Sequence, residues 1–227
     1  MTWAVFLVIS FASGSIPFGL YIARAKGINI REHGSGNIGA TNVLRVLGRG
    51  PGYLCFALDM LKGAVPTIAY VLLTGYITRE SPSQADAARC VAVAFAAVLG
   101  HMFTPLANFK GGKGVATAFG SLLAVVPDLT VPVIVAGLAW VVSVKATRYV
   151  GISSCIASIV LPAVIWPWTA ILGRTNLALP LIALTGALAL FVIYKHRANI
   201  ARTFAGTESR VGQRQAPKAT PQSDSAN

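Results

Sequence analysis

A chain of 227 residues that is 55% hydrophobic and 11% charged, with a mean hydropathy of +0.66, falls well short of the roughly 25% charged residues of a soluble domain. Apolar stretches recur from end to end, which describes one polytopic membrane domain rather than a soluble domain with a single anchor. The formal charge of +12 lies between those stretches and not on a basic, aromatic-interleaved face of a soluble element, so nucleic acid is excluded as a partner.

The expected fold is all-α. A crossing takes about 20 apolar residues over a hydrocarbon core of about 30 Å, and the chain offers seven candidates at 2–23, 52–77, 88–107, 114–126, 129–145, 151–172 and 176–195. The first lacks a basic n-region and is interrupted by Ser13-Gly14-Ser15-Ile16-Pro17; with no cation before Arg24, a retained helix is expected rather than a cleaved signal. The fourth is short and separated from the fifth only by Pro127-Asp128. Five or six full crossings with a re-entrant pair therefore stay open beside seven.

Cations in short loops mark the cytoplasmic side. One set of alternate loops collects Arg24, Lys26, Arg31, Arg45, Arg49, Lys110, Lys113, Lys145, Arg148, Lys195, Arg197, Arg202, Arg210, Arg214 and Lys218, the other only Arg79, Arg89 and Arg174. The amino terminus is thus expected outside and the carboxyl end in the cytoplasm, which requires an odd number of crossings. Residues 1–204 form the membrane domain, and 205–227 read as a polar tail too poor in apolar residues to stay ordered. Cys55, Cys90 and Cys155 are isolated in apolar segments and read as packing residues, without metal-ligand spacing.

Three polar islands fall on the cation-rich side. The first, His33-Gly34-Ser35-Gly36-Asn37-Ile38-Gly39-Ala40-Thr41-Asn42 with Arg45 beyond, combines glycines that let backbone approach a ligand with neutral hydrogen-bonding groups and a bidentate cation suited to phosphate. In the second, Phe109-Lys110-Gly111-Gly112-Lys113-Gly114-Val115-Ala116-Thr117, the amides of Gly111, Gly112 and Gly114 open a helix, where orphan N–H groups favour an anion. It is not a Walker A loop, since Ala107 stands five before Gly112 and Gly114 follows Lys113. The third, Lys195-His196-Arg197-Ala198-Asn199-Ile200-Ala201-Arg202, puts His196, Asn199 and Arg202 three apart on one helical face. Alone it would serve equally to meet anionic lipid headgroups.

Other polar residues lie inside apolar segments. Asp59 and Lys62, three apart, permit a structural ion pair. His101 reads as a satisfied interior histidine, and Ser153 and Ser154 could reach a phosphate from the start of the sixth segment.

These runs, with Asp59-x-x-Lys62-Gly63, Gly100-His101, Arg148-Tyr149, Gly206 and Glu208, resemble the three ordered motifs of the bacterial acyl-phosphate:glycerol-3-phosphate acyltransferases over nearly the whole chain. The resemblance implies seven membrane helices, an external amino terminus, an active site at the cytoplasmic face of the inner membrane, and transfer of a fatty acyl group to the first hydroxyl of glycerol 3-phosphate, giving lysophosphatidic acid. It implies active-site roles for Ser35, Arg45, Lys113, His196 and Asn199, phosphate contact by Thr41, Asn42 and Ser154, and structural integrity for Glu208. Gly36, Asn37, Gly39, Gly111, Gly112 and Gly114 are expected around the phosphates. Asn29, where an acidic residue is usual, and Gly151, where Ser is frequent, are expected to affect helix-end packing alone.

An acyl phosphate brings its own leaving group, so neither a covalent acyl-enzyme nor a metal or cofactor is expected. Expected partners are acyl phosphate and glycerol 3-phosphate as substrates, membrane lipids, and an acyl-phosphate-forming enzyme that hands over the donor. Acyl-CoA-dependent glycerolipid acyltransferases resemble one another in a His-x-x-x-x-Asp pair, whereas here His33, His101 and His196 are followed five residues later by Ile38, Leu106 and Ala201. The rival reading is a transporter for a phosphorylated solute, whose site would lie near the bilayer midplane rather than at one face.

Overall fold

A computed structural model describes residues 2–212. Among them every regular element is helical: α1 Thr2–Gly14, α2 Phe18–Arg24, α3 Ala40–Leu47, α4 Arg49–Leu73, α5 Gln84–Met102, α6 Val115–Leu123, α7 Thr130–Thr147, α8 Val150–Ile171 and α9 Ala178–Phe204, with short 3-10 turns between some of them. α1 and α2 are halves of the first apolar segment, parted where Pro17 removes a backbone donor. Ser83 starts α5 with a capping box, its hydroxyl accepting from Asp86 N–H at 3.1 Å while the Asp86 carboxylate accepts from Ser83 N–H at 3.2 Å. Pro66 in α4 and Pro162 and Pro167 in α8 are tolerated as membrane helices tolerate them, beside neighbouring helices.

Among the described residues six helical segments are long and apolar enough to cross a membrane: Thr2–Arg24, Arg49–Leu73, Gln84–Ala107, Thr130–Thr147, Val150–Ile171 and Thr175–Phe204. They fall on six of the seven expected segments. The remaining passage, from Lys113 to Asp128 beside Tyr76 and Arg174 at the opposite end, is helical only in part: α6 has nine residues, about 13 Å at 1.5 Å per residue, less than a hydrocarbon core. Its continuation is turned aside at Pro127-Asp128, where the fully buried Asp128 carboxylate accepts from Tyr76 Oη at 2.6 Å and pairs with Arg174 at 3.2 Å. Burying that carboxylate is tolerable only with both partners in place, so the chain there is committed to a turn.

Close helix approach rests on small residues, as in other membrane bundles. Gly100 of α5 lies against the Phe11 carbonyl of α1, and Gly120 of α6 against the Met60 carbonyl of α4, with no room for a Cβ at either. The polar connections then separate to two ends. At one end Arg174 donates to the Arg79 carbonyl at 2.8 Å as well as to Asp128, and Thr2 and Trp3 share a recess with Arg79 and Arg89. At the other end Arg31 reaches the carbonyls of Ala107 at 3.1 Å and Lys110 at 3.0 Å. Residues 205–212 also lie at that end, opposite Thr2.

The expected tail begins later than residue 205. Val211 N–H donates to the Arg148 carbonyl at 2.8 Å, the Arg148 guanidinium returns a bond to the Val211 carbonyl at 2.9 Å, and Arg202 pairs with Glu208 at 2.6 Å. Hydrogen bonds and one ion pair, not apolar burial, fold residues 205–212 back onto the α7–α8 junction. The rest of the expected tail, 213–227, lies outside the described residues.

Candidate active site

The first loop is organised around Asn42, which is 2% exposed. Its Oδ1 accepts from Ser35 N–H at 2.8 Å, and its Nδ2 donates to the carbonyls of Asn37 at 2.9 Å and His33 at 3.0 Å. Asn37 Oδ1 accepts from Gly39 N–H at 2.8 Å, ahead of α3. Gly34 and Gly36, at φ +59° and +70°, adopt the left-handed conformation that this tight path needs. Asn42 and Asn37 thus shape the loop from within, and His33, Ser35 and Thr41 have exposed side chains.

The second loop leaves α5 after Met102 and enters α6 at Gly114, which takes φ +79°. Gly112 N–H donates to the His101 carbonyl at 3.2 Å, and Lys113 is half-buried beyond it. The Lys113 ammonium donates to Asn199 Oδ1 of α9, joining the second island to the third. Asn199 Nδ2 donates to Glu208 Oε1 at 2.6 Å, and Arg202 Nε to Glu208 Oε2 at 2.6 Å. Arg45, on the last turn of α3, lies within electrostatic reach of Glu208 and Arg202, so the first island joins the same cluster.

Electrostatics here favour an added anion. Burial, reinforced by the Arg202 and Arg45 charges against the opposing pull of Glu208, lowers the Lys113 ammonium pKa to about 8, and burial likewise lowers that of the Arg45 guanidinium. Three cations share one carboxylate, an excess that phosphate oxygens would neutralise. His196, 2% exposed, donates from Nδ1 to the Val192 carbonyl at 2.8 Å. That bond fixes the tautomer and leaves Nε2 as an acceptor.

An apolar cavity of about 450 Å³ runs between α6, α7, α8 and α9, walled by Phe119, Leu122, Trp140, Leu161 and Leu188. Two wall residues tie it to the polar cluster: Val115 follows the Lys113 loop, and Val192 carries the carbonyl that holds His196. Ser154 lies on this wall, donating to the Val150 carbonyl at 2.8 Å and accepting from Trp140 Nε1 at 3.2 Å. Asp59 and Lys62 form the expected ion pair, 2.7 Å apart and buried in α4.

Sequence reasoning missed Arg31, which stitches the first loop to the second, and Trp140; neither belongs to a spacing pattern that could have flagged it. It also misplaced Gly151. That residue does more than pack a helix end, because a Cβ there would come within 2.7 Å of Asn199 Cβ; a third atom-sized group would press on the cluster. Asn29 does act at a helix end, accepting from Arg31 N–H at 3.3 Å and donating to Glu32 at 2.5 Å.

A family model for glycerol-3-phosphate acyltransferase matches residues 4–206. The chain belongs to the glycerol-3-phosphate acyltransferase family. It is 42% identical to the glycerol-3-phosphate acyltransferase of Geobacter sulfurreducens over 91% of this chain and 96% of that one, and 38% identical to that of Desulforamulus reducens over 94% and 98%. Among solved structures it is similar to PlsY, an integral membrane glycerol 3-phosphate acyltransferase, at 34% identity over 93% of this chain and 96% of that chain. The TM-score is 0.79 against the glycerol 3-phosphate form and 0.76 against the lysophosphatidic acid form. As a glycerol-3-phosphate acyltransferase the chain is a multi-spanning membrane acyltransferase.

Proposed function

We propose that this acyltransferase moves a fatty acyl group from acyl phosphate directly to the first hydroxyl of glycerol 3-phosphate, releasing phosphate and lysophosphatidic acid for phospholipid synthesis. The observation that carries this reading is a cationic cluster, built from all three polar islands, that neighbours an apolar slot of about 450 Å³ through Val115 and Val192 of its wall. A molecule with a phosphate at one end and an acyl chain at the other fits across that junction. The forms in which PlsY was solved, with glycerol 3-phosphate and with lysophosphatidic acid, agree with the acceptor and product.

Arg45, Lys113 and the amides at Gly111 and Gly114 hold the two phosphates close together while screening their repulsion; the Gly112 amide, expected beside them, donates instead to the His101 carbonyl and shapes the loop. Ser35, Thr41 and Ser154 line the approach to the headgroups. In the transfer, a bond forms between the glycerol oxygen and the acyl carbonyl carbon as the carbon–oxygen bond to phosphate breaks. The hydroxyl proton passes to an oxygen of the departing phosphate. His196 Nε2 and Asn199 orient glycerol 3-phosphate for that attack. The excess of cations at this end supports a cytoplasmic site with Thr2 on the outer side of a bacterial inner membrane. There an acyl-phosphate-forming enzyme can hand over the donor.

Purified protein in detergent, given glycerol 3-phosphate with either acyl phosphate or acyl-CoA, tests the reading. Lysophosphatidic acid and one equivalent of phosphate are expected from acyl phosphate alone. Turnover with acyl-CoA only, or recovery of an acyl-Ser35 adduct, would contradict it.

A further inference from the structure

Beneath the glycine loop lies a group of ionisable side chains that the transfer does not use. Asp59, Lys62 and His101 are 3%, 5% and 6% exposed. Lys62 Nζ sits 2.7 Å from Asp59 Oδ1 and donates to the Ile16 carbonyl at 2.7 Å, in the break between α1 and α2. His101 Nδ1 faces the same Asp59 oxygen at 3.6 Å. Burying charges among membrane helices is costly, and this group is too deep to meet a headgroup at the rim.

The far side of the His101 ring supports the loop. An added Cβ at Gly112 would collide with Nε2, and its three nearest atoms all belong to that ring, while Gly111 lies against the His101 carbonyl. Gly112 N–H is bonded to the same carbonyl. The two residues preceding Lys113 are therefore laid on His101, whose ring faces Asp59 of α4, itself paired with Lys62.

The geometry points to His101 as a positioning residue for Lys113. Asp59, paired with Lys62, faces one edge of the ring, and the ring sets the height of the loop and so the reach of the ammonium toward the acyl donor's phosphate. The inference rests on the proposed role of Lys113. Misplacement of a catalytic group by about 1 Å can cost about 100-fold, so His101→Ala is expected to lower kcat/KM for acyl phosphate by about 10- to 100-fold.

Two cycles test it. Because His101 acts through Lys113, His101→Ala in a Lys113→Ala background is expected to cause less than about a 3-fold further loss, where independent roles would multiply. Because the three atoms nearest a methyl at Gly112 all belong to the ring, Gly112→Ala is expected to be severely impaired and His101→Ala/Gly112→Ala more active than Gly112→Ala. Multiplicative losses in both cycles would overturn the positioning role. His101→Ser is run in parallel; failure of both His101 variants to yield folded, membrane-inserted protein would also overturn it, by assigning the cluster to folding. Wild-type turnover of acyl phosphate is the control: if it is absent, the proposed function fails, and if it is present with multiplicative losses, only the positioning role fails.

Discussion

Lys113 shows how burial tunes a single group. With its pKa lowered to about 8, the cation that binds phosphate is present below that pH and lost above it. Expected kcat/KM for acyl phosphate therefore falls as pH rises through about 8, while kcat falls at higher pH because bound phosphate restores the ammonium. Lys113→Arg, whose charge persists above pH 12, should remove the alkaline fall whatever its cost in rate; a fall unchanged in that variant would locate the titration elsewhere. The His196 tautomer leaves Nε2 free to accept from the glycerol hydroxyl, which serves orientation and proton removal alike; with the proton assigned to the departing phosphate, kcat for His196→Ala should drop by well under the ~10⁴-fold upper range for loss of a general base. A drop of that full size would make Nε2 the proton acceptor. Lys113 and His196 could be picked out from sequence because glycines and helical spacing frame them. The His101 contact with Gly112 could not, since no local pattern reports which ring lies beneath a loop.

At the scale of elements, the return of residues 205–212 closes the site. Removing the Glu208 carboxylate should cost about 1.5–3 kcal/mol through the charged hydrogen bond to buried Asn199. Little more should come from Arg202, whose side chain is 41% exposed and well screened. Thermal unfolding and kcat/KM of Glu208→Ala are both expected to decline, with Glu208→Gln recovering part of each, since an amide oxygen can still accept from Asn199. Equal damage from the two substitutions would remove Asn199 from the explanation. Apolar run length made the six long segments legible, because a membrane segment must be apolar along its length; the first was expected as one retained helix, and its parting into α1 and α2 at Pro17 is what the structure adds. The return of 205–212 was illegible for the same reason: individual hydrogen bonds hold it, and a polar composition looks the same whether those bonds form or not.

Across the whole molecule the two ends divide labour. The Tyr76–Asp128–Arg174 group clamps the end away from the site. Burial beside the Asp128 carboxylate pushes the Tyr76 phenol well above its ordinary range. Asp128→Ala leaves Arg174, 15% exposed, without its partner and should cost about 3–5 kcal/mol of stability, read as a lower Tm in detergent. Initial rates below that Tm should stay within about 3-fold of wild type, since no element of the cluster is touched. A collapse of kcat without a change in Tm would mean that the ends are coupled. That the cations gather at one end was readable from their alternation between loops, and the shortness of the fourth segment from Pro127-Asp128; the Tyr76 and Arg174 partners of that aspartate were not, because an apolar run does not report which distant side chains will meet its end.

The account depends most on the three polar islands meeting at one membrane face. Single cysteines placed at the exposed positions Ser35, Lys110 and Arg197 in a cysteine-free background, labelled with an impermeant maleimide in sealed vesicles of each orientation, measure this directly. All three should react only in inside-out vesicles. Any one of them reacting only in right-side-out vesicles would break the shared site apart.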